Sequence, residues 1–130
     1  MSSDAEDTAH GRKPRILLVD DDAFLLRSVA RLQTLHGHRV VTAPGGAEAI
    51  DVLTLDHDFD LVVFDMDMPP MHGPEFLRRA LAAFPELRGR LVVTSGNIDE
   101  HVRALAADGA CRTLQKPFTA VEIEALLSAR

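Results

Sequence analysis

The sequence predicts a three-layer α/β domain in which helices cover both faces of a parallel sheet. From residue 15 onward, short apolar runs alternate five times with helix-length amphipathic segments, and this alternation is typical of right-handed strand–helix–strand crossovers. The apolar runs are mostly continuous rather than alternating, as expected for strands buried on both faces. A chain of 130 residues suits one domain with a single core.

The first two strand–helix units are expected between residues 15 and 55. The apolar run at residues 16–19 forms the first strand. Gly37 ends the helix that follows it, since a left-handed residue commonly terminates a helix. Residues 39–43 form the second strand and residues 47–55 the second helix. The apolar residues at helical spacing in these two helices are Leu25, Val29, Leu32, Leu35, Ile50 and Leu53.

The third unit begins with a strand at residues 60–64. Pro69 and Pro70 then require a loop, and Pro74 is placed in the first turn of the third helix, where proline is tolerated. Pro85 ends this helix. Its expected inward face comprises Phe76, Leu77, Ala80, Leu81 and Phe84.

The last two strands are expected at residues 91–93 and 112–115. Asp99 can cap the fourth helix, which Gly109 ends. Thr119 and Glu122 have the spacing of a capping box and begin the fifth helix. The inward residues of these two helices are Val102, Leu105, Ala106, Ile123, Leu126 and Leu127.

Composition excludes several classes of protein. The formal net charge of −6 argues against a nucleic-acid-binding surface, which requires excess Lys and Arg. No apolar run approaches the roughly 18 residues of a membrane span, and the N-terminus carries no apolar signal segment. We therefore expect a cytoplasmic protein with no membrane partner. Residues 1–14 are polar and aperiodic and are predicted to form a disordered tail, with the domain over residues 15–130.

Cysteine and histidine usage adds two expectations. The single cysteine, Cys111, excludes an internal disulfide and fits a reducing compartment. The six histidines lack the spacing of metal ligands and are expected at the surface.

Polar residues stand at the ends of four predicted strands, where the carboxyl ends of parallel strands form a ligand-binding edge. Three aspartates, at positions 20 to 22, follow the first strand, and Asp65 follows the third. Thr94 and Ser95 end the fourth strand, and Lys116 follows the fifth. These side chains are therefore expected to converge on one small area, while Asp22 is expected to cap the first helix.

Converging carboxylates need a compensating charge. Two carboxylates about 4 Å apart repel by roughly 4 kcal/mol at an effective dielectric constant of 20. Magnesium suits such a site, because it binds one or two carboxylates together with waters and phosphate oxygens. Asp65 could then act as a nucleophile toward phosphorus, with Lys116 and Thr94 contacting the oxygens of the transferred group.

These residues lie in stretches whose order and spacing resemble the receiver domain of two-component response regulators: ILLVDDD at 16–22, DLVVFDMDMPPMHG at 60–73, VVTS at 92–95 and KPF at 116–118. The resemblance implies a flavodoxin-like fold with five parallel strands in the order 2-1-3-4-5 and five helices. It also implies a phospho-switch that is not an enzyme for a separate substrate and catalyses only its own phosphorylation and dephosphorylation.

The resemblance further implies a role for each site residue. Asp65 is the phosphoacceptor, Thr94 the switch hydroxyl and Lys116 the lysine of the pocket, preceding a cis bond to Pro117. The implied magnesium ligands are Asp21 directly, Asp20 mainly through water, Asp65, and the backbone carbonyl of Asp67. The implied phosphodonor is a histidine kinase or a histidine phosphotransfer protein. A downstream protein or output domain and a homodimer through residues 99–129 are further implied partners.

Three positions depart from the family pattern or vary within it. Thr113 stands where an aromatic ring is usual in the fifth strand, so a relay that couples a threonine to a ring lacks its ring. His72 replaces an acidic residue before Gly73, with little expected effect on chemistry. Asp67 would overhang the phosphoryl group, and its charge is expected to alter the lifetime of the phosphorylated form.

Two other interpretations stay open at this stage. The Asp65-Met66-Asp67 segment is similar to the Asp-x-Asp motif of haloacid-dehalogenase-type phosphatases, in which the second aspartate is the general acid. Turnover of a phosphomonoester would favour this enzyme. A pseudo-receiver that acts only through protein contacts is the third interpretation, favoured if phosphodonors fail to modify the site.

Overall fold

The computed structural model describes residues 12–129, and within this range it contains five β-strands and five α-helices. The strands are β1 (Arg15–Val19), β2 (Arg39–Ala43), β3 (Leu61–Asp65), β4 (Leu91–Ser95) and β5 (Cys111–Gln115). The helices are α1 (Ala23–Leu35), α2 (Gly46–Leu55), α3 (Gly73–Ala83), α4 (Glu100–Ala106) and α5 (Ala120–Ser128). A short 3-10 helix, Pro85–Leu87, follows α3 and was not predicted.

All strand pairs in the sheet are parallel, and the order is β2-β1-β3-β4-β5. This confirms the predicted architecture and strand order. The register pairs Val19 with Ala43 and with Phe64, and pairs Asp65 with Thr94. The carboxyl ends of the strands therefore end side by side at one edge of the sheet.

Each face of the sheet has its own apolar core. On one face, β-strand residues pack with α2, α3 and α4, and fully buried Phe59, Phe64 and Phe76 lie in this cluster. On the other face, Ile16 and Leu18 pack with Leu26 of α1 and with α5. Helices cover both faces, so β1, β3 and β4 are buried along most of their length, as their continuous apolar runs predicted. The edge strand β2 is mostly exposed.

The helix starts follow the predicted capping residues. The Asp22 side chain accepts hydrogen bonds from the backbone N–H groups of Phe24 and Leu25, and Asp99 accepts one from Val102. Thr119 and Glu122 form the predicted capping box of α5. These side chains satisfy donors that a helix start otherwise leaves without intrahelical partners.

Burial in and after α1 departs from the sequence pattern at two places. In α1, Leu35 is 75% exposed and Leu32 is 49% exposed, whereas Leu26 and Gln33 are buried. His38, expected at the surface, is only 5% exposed. The inward face of α1 carries Leu26, Val29 and Ala30, which pack against the core, and Gln33 lies on this face, where it bonds His38.

The expected disordered tail falls mostly on residues 1–11, which lie outside the described residues. Residues 12–14 contact the domain. Arg12 forms ion pairs with Asp58 and Asp60, and the carbonyl of Pro14 accepts the backbone N–H of Arg39. Among the helices of residues 12–129, none combines the length and apolarity that crossing a bilayer requires.

Candidate functional site

The structure brings the predicted acidic residues together at the carboxyl edge of the sheet. Asp20 and Asp21 follow β1, and Asp65 is the last residue of β3. One carboxylate oxygen from each of the three residues lies within 4.8 Å of those from the other two. Such close carboxylates repel one another, so the site favours any cation that enters it.

Asp65 lies at the centre of this edge and is buried. Burial raises the pKa of the Asp65 carboxyl, and the charge of Asp20 adds to the rise, while Lys116 opposes it. The ionised carboxylate is therefore less stable here than in water, and a positive charge beside it is favoured.

Lys116 supplies positive charge from the end of β5. Its Nζ donates to Asp20 Oδ2 at 2.7 Å and lies 3.3 Å from Asp65 Oδ2. Burial lowers the pKa of Lys116, but the hydrogen bond and charge of Asp20, together with the charge of Asp65, outweigh burial and raise it. Lys116 is therefore held as a cation between two carboxylates.

The three consecutive aspartates have different environments. Asp20 is buried; its Oδ1 accepts the backbone N–H of Asp22, and its Oδ2 accepts from Lys116. Asp22 caps α1, as predicted. Asp21 is exposed, so its carboxylate is the most accessible of the three to an ion or ligand arriving from solvent.

Thr94 is 2% exposed and lies beside Asp65 in the sheet register. Its hydroxyl donates to the carbonyl of Phe64 at 3.3 Å, and its own carbonyl accepts the N–H of Met66 at 2.8 Å. The hydroxyl thus faces the backbone of β3, and a change of rotamer would be needed to aim it at a group on Asp65.

The loop after β3 passes over the site. The backbone N–H of Asp67 donates to the Asp65 carboxylate and lowers its pKa, a smaller effect than burial. The Asp67 side chain is exposed and lies 3.8 Å from Nδ1 of His72. Gly73 holds this loop close, since a Cβ there would approach Cα of Met66 to 2.9 Å.

Two cis peptide bonds flank the site. The bond between Lys116 and Pro117 is cis, as the resemblance implied, and the bond between Pro69 and Pro70 is also cis, which was not predicted.

An exposed apolar rim beside the site was missed from the sequence. Phe24, the second residue of α1, is 71% exposed. It lines a groove of about 250 Å³ together with Leu25, Lys116, Pro117 and Phe118. The available signal was that Phe24 lies off the helical stripe of α1 and only two residues after Asp22, the last residue of the acidic run.

The donor set fits magnesium. It consists of carboxylate oxygens, which are the ligands that this ion prefers, and the most exposed carboxylate, that of Asp21, leaves room for coordinated water. Asp20, Asp21 and Asp65 are the side chains that could hold the ion. Asp20 and Asp65 would then contact both Lys116 and the magnesium ion.

The fold and the site define a class of protein: a doubly wound parallel domain with an acidic cluster and a lysine at its carboxyl edge. The profile of the response regulator receiver domain matches residues 16–128, and the chain belongs to this family. It therefore acts as a receiver domain in two-component signalling, a phospho-switch and not an enzyme of the usual kind.

Known proteins place the chain in the same family. It is 34% identical over 116 residues to the transcriptional regulatory protein PrrA of Mycobacterium tuberculosis, covering 89% of this chain and 49% of PrrA. It is 35% identical over 115 residues to the response regulator MprA of Mycolicibacterium vanbaalenii, covering 88% and 49%. The chain thus spans about half the length of these curated relatives.

A solved structure agrees. A response regulator receiver domain protein of Clostridium thermocellum superposes with a TM-score of 0.75 at 27% identity, covering 89% of this chain and 92% of that one.

Proposed function

We propose that this receiver domain accepts a phosphoryl group on the carboxylate of Asp65 in the presence of magnesium. The observation that carries the proposal is the arrangement around Asp65, where Lys116 and the carboxylates of Asp20 and Asp21 surround one buried oxygen nucleophile. Acids, an ammonium group and a nearby hydroxyl are the groups that phosphoryl transfer requires.

In the proposed reaction, an oxygen of Asp65 attacks the phosphorus of a phosphohistidine, the P–N bond breaks, and the histidine ring leaves as imidazole after taking up a proton. The product is an aspartyl phosphate. The ammonium group of Lys116 shifts from Asp20 toward the new phosphoryl oxygens. Thr94 donates a hydrogen bond from its hydroxyl to one of these oxygens after a rotamer change. Magnesium, held by the three carboxylates and the Asp67 carbonyl, would offset the negative charge of the transferring group.

Hydrolysis of the aspartyl phosphate is assigned to the same site, with water as the attacking group and no separate substrate. The rival assignment as a haloacid-dehalogenase-type phosphatase needs Asp67 as a general acid. It is not favoured, because the family match is to receiver domains and because that assignment leaves Asp20 and Asp21 without a role.

The proposed phosphodonor is a histidine kinase or a histidine phosphotransfer protein, acting in the cytoplasm. The rim beside the site supports a protein donor, since Phe24 offers exposed apolar surface next to Lys116. The relatives are about twice as long, so an output partner, in cis or in trans, is proposed as well. A homodimer through residues 99–129 stays a prediction.

Mass spectrometry after treatment with acetyl phosphate and magnesium tests the proposal. The wild-type protein should gain the mass of one phosphoryl group, and Asp65→Asn should not. Asp51→Asn, which changes an exposed aspartate of α2, is the matched control and should be modified like the wild type. Modification that persists in Asp65→Asn would contradict the assignment, and an unmodified wild type would favour the pseudo-receiver.

A further inference from the structure

A polar chain, buried at Gln33 and His38, joins two helices on the face opposite α2, α3 and α4. His38 lies between α1 and β2, with its side chain 3% exposed. Its Nδ1 lies 2.7 Å from Oε1 of Gln33 in α1, and its Nε2 lies 2.6 Å from Oε1 of Glu124 in α5. The backbone N–H of His38 also donates to the carbonyl of Gln33 at 3.0 Å. His38 is therefore anchored twice to α1 and bonds α5 through its ring.

Both helices joined by His38 begin at the acidic site. Asp22, the capping residue of α1, follows Asp20 and Asp21 directly. The segment from Lys116 to Thr119 leads from the site into α5. Glu124 lies in the second turn of α5, so only the segment from Lys116 to Thr119 and the first turn of α5 separate the His38 contact from the lysine that holds Asp20 and Asp65.

We propose that the Gln33–His38–Glu124 chain is a latch that holds α5 against α1 in the unphosphorylated state and opposes the response to phosphorylation. This inference rests on the proposed function of Asp65. A phosphoryl group on Asp65 brings new anionic oxygens, which compete with Asp20 for Lys116. Movement of Lys116 away from Asp20 pulls on the segment that enters α5.

The latch opposes this movement because of its geometry. His38 is fixed to α1, whereas Glu124 moves with α5, and a hydrogen bond weakens steeply as its distance and angle depart from the optimum. A phosphoryl group or its mimic must therefore break the contact, and part of its binding free energy is used in doing so. Without the latch, this part of the binding free energy should instead appear as a lower dissociation constant for the phosphoryl mimic.

The latch also offers a route for output that needs no aromatic ring in β5. Thr113 occupies the position where the family usually has one, so a signal carried by a ring in β5 is absent from this chain. Movement of the whole α5 helix, released at Glu124, would change the surface that α5 presents to a partner.

Glu124→Ala is the variant of choice, because the Glu124 side chain is 43% exposed and alanine favours helix, so the fold should survive. Calorimetry would measure its affinity for beryllofluoride with magnesium, a mimic of the phosphoryl group. We expect about fivefold tighter binding than in the wild type, and faster hydrogen exchange of α5 amides already without ligand. Asp51→Ala, which removes the same charge from an exposed position in α2, should leave both quantities unchanged.

The outcomes separate the two proposals. Equal or weaker beryllofluoride binding by Glu124→Ala, beside normal binding by the wild type, would overturn the latch alone, since a contact with a merely structural role would not raise affinity when lost. A wild-type protein that binds no beryllofluoride would overturn the proposed function, and with it the coupling of the latch to phosphorylation.

Discussion

Lys116 Nζ lies 2.7 Å from a carboxylate oxygen of Asp20 and 3.3 Å from one of Asp65. One ammonium group from the end of β5 thus compensates carboxylates that follow β1 and end β3. Since these strands lie at different positions in the sheet, the lysine also ties their ends together. The site is held in place by its own charges before any ligand arrives.

Replacing Lys116 with methionine should lower the free energy of unfolding by about 2 kcal/mol near pH 7. Methionine keeps most of the apolar stem but removes the ammonium group, which leaves the carboxylates of Asp20 and Asp65 facing each other, and breaking a buried pair in this way is strongly destabilising. Urea denaturation followed by circular dichroism would measure the change. Arg79→Met, which removes an exposed partner of Glu75, should cost less than about 1 kcal/mol.

The cost of Lys116→Met should depend on pH. Burial, then the charge of Asp20, raise the pKa of Asp65, and the variant lacks the ammonium group that opposes them. A carboxyl with a raised pKa in the folded state reduces stability only where it is ionised. The difference in the free energy of unfolding between variant and wild type should therefore be full above the folded-state pKa of Asp65. It should shrink as pH falls toward about 3.9, the ordinary aspartate pKa.

On the alkaline side, burial lowers the pKa of Lys116, but its two carboxylate partners raise it by a larger amount, so the net shift is upward. The contribution of the Lys116 ammonium group to the stability of the wild type is therefore full below pH about 10.4, the ordinary lysine pKa. It is lost as pH rises through the folded-state pKa. A difference in stability that stays constant across the whole pH range would show that the ammonium charge is not the cause.

Magnesium should stabilise the wild-type domain more than Asp21→Asn. Ligand linkage predicts a gain of about 1.4 kcal/mol when magnesium is present at ten times its dissociation constant. Without metal, Asp21→Asn should unfold within about 0.5 kcal/mol of the wild type, because Asp21 is exposed. Thermal unfolding with magnesium chloride, and with sodium chloride at equal ionic strength, would separate binding from screening. If magnesium raises the unfolding temperature of both proteins equally, Asp21 is not a ligand of the ion.

Much of the fold and the membership of the site could be predicted from the sequence because both depend on local pattern. Continuous apolar runs located the strands, and parallel strands bring the residues after them to one edge, which is why Asp20, Asp65 and Lys116 were expected together. Their distances were beyond prediction. The rotamer that aims the Thr94 hydroxyl at the Phe64 carbonyl depends on packing that no local pattern encodes.

The rotation of α1 could not be predicted, for a related reason. Two overlapping stripes are available in this helix, one through Leu32 and Leu35 and one through Leu26 and Gln33. The structure buries the second stripe, where Leu26 packs against the core together with Val29 and Ala30 and where Gln33 meets His38. The buried hydrogen bond between Gln33 and His38 lies on this face, and apolar periodicity carried no signal of it.

Asp67→Asn should lengthen the lifetime of the phosphorylated form by about threefold, a difference of roughly 0.6 kcal/mol. The Asp67 side chain lies in the loop over the site, and its negative charge would repel phosphoryl oxygens on Asp65, so the neutral amide stabilises the phosphorylated state. Loss of radiolabel after removal of the donor measures the rate, with Asp51→Asn as the charge control. Equal dephosphorylation rates for the wild type and Asp67→Asn would exclude this role of the charge.

Phe24→Ala should slow phosphorylation by a protein donor about tenfold while leaving phosphorylation by acetyl phosphate unchanged. Phe24 is 71% exposed and borders the groove that contains Lys116, so a protein that brings a phosphohistidine to Asp65 would cover it. Burial of a phenylalanine side chain contributes roughly 1.5–3 kcal/mol, and each 1.4 kcal/mol corresponds to about a factor of ten. Transfer rates from a phosphorylated histidine phosphotransfer protein and from acetyl phosphate would be compared.

The matched control is Leu55→Ala, because Leu55 is 90% exposed at the far end of α2 and should affect neither donor. Phe24→Ala tests the protein donor separately from the chemistry of Asp65, since acetyl phosphate needs no docking surface. If the variant is slow with both donors, Phe24 acts on the geometry of the site and not on docking. If it is slow with neither, the donor approaches Asp65 without covering the start of α1.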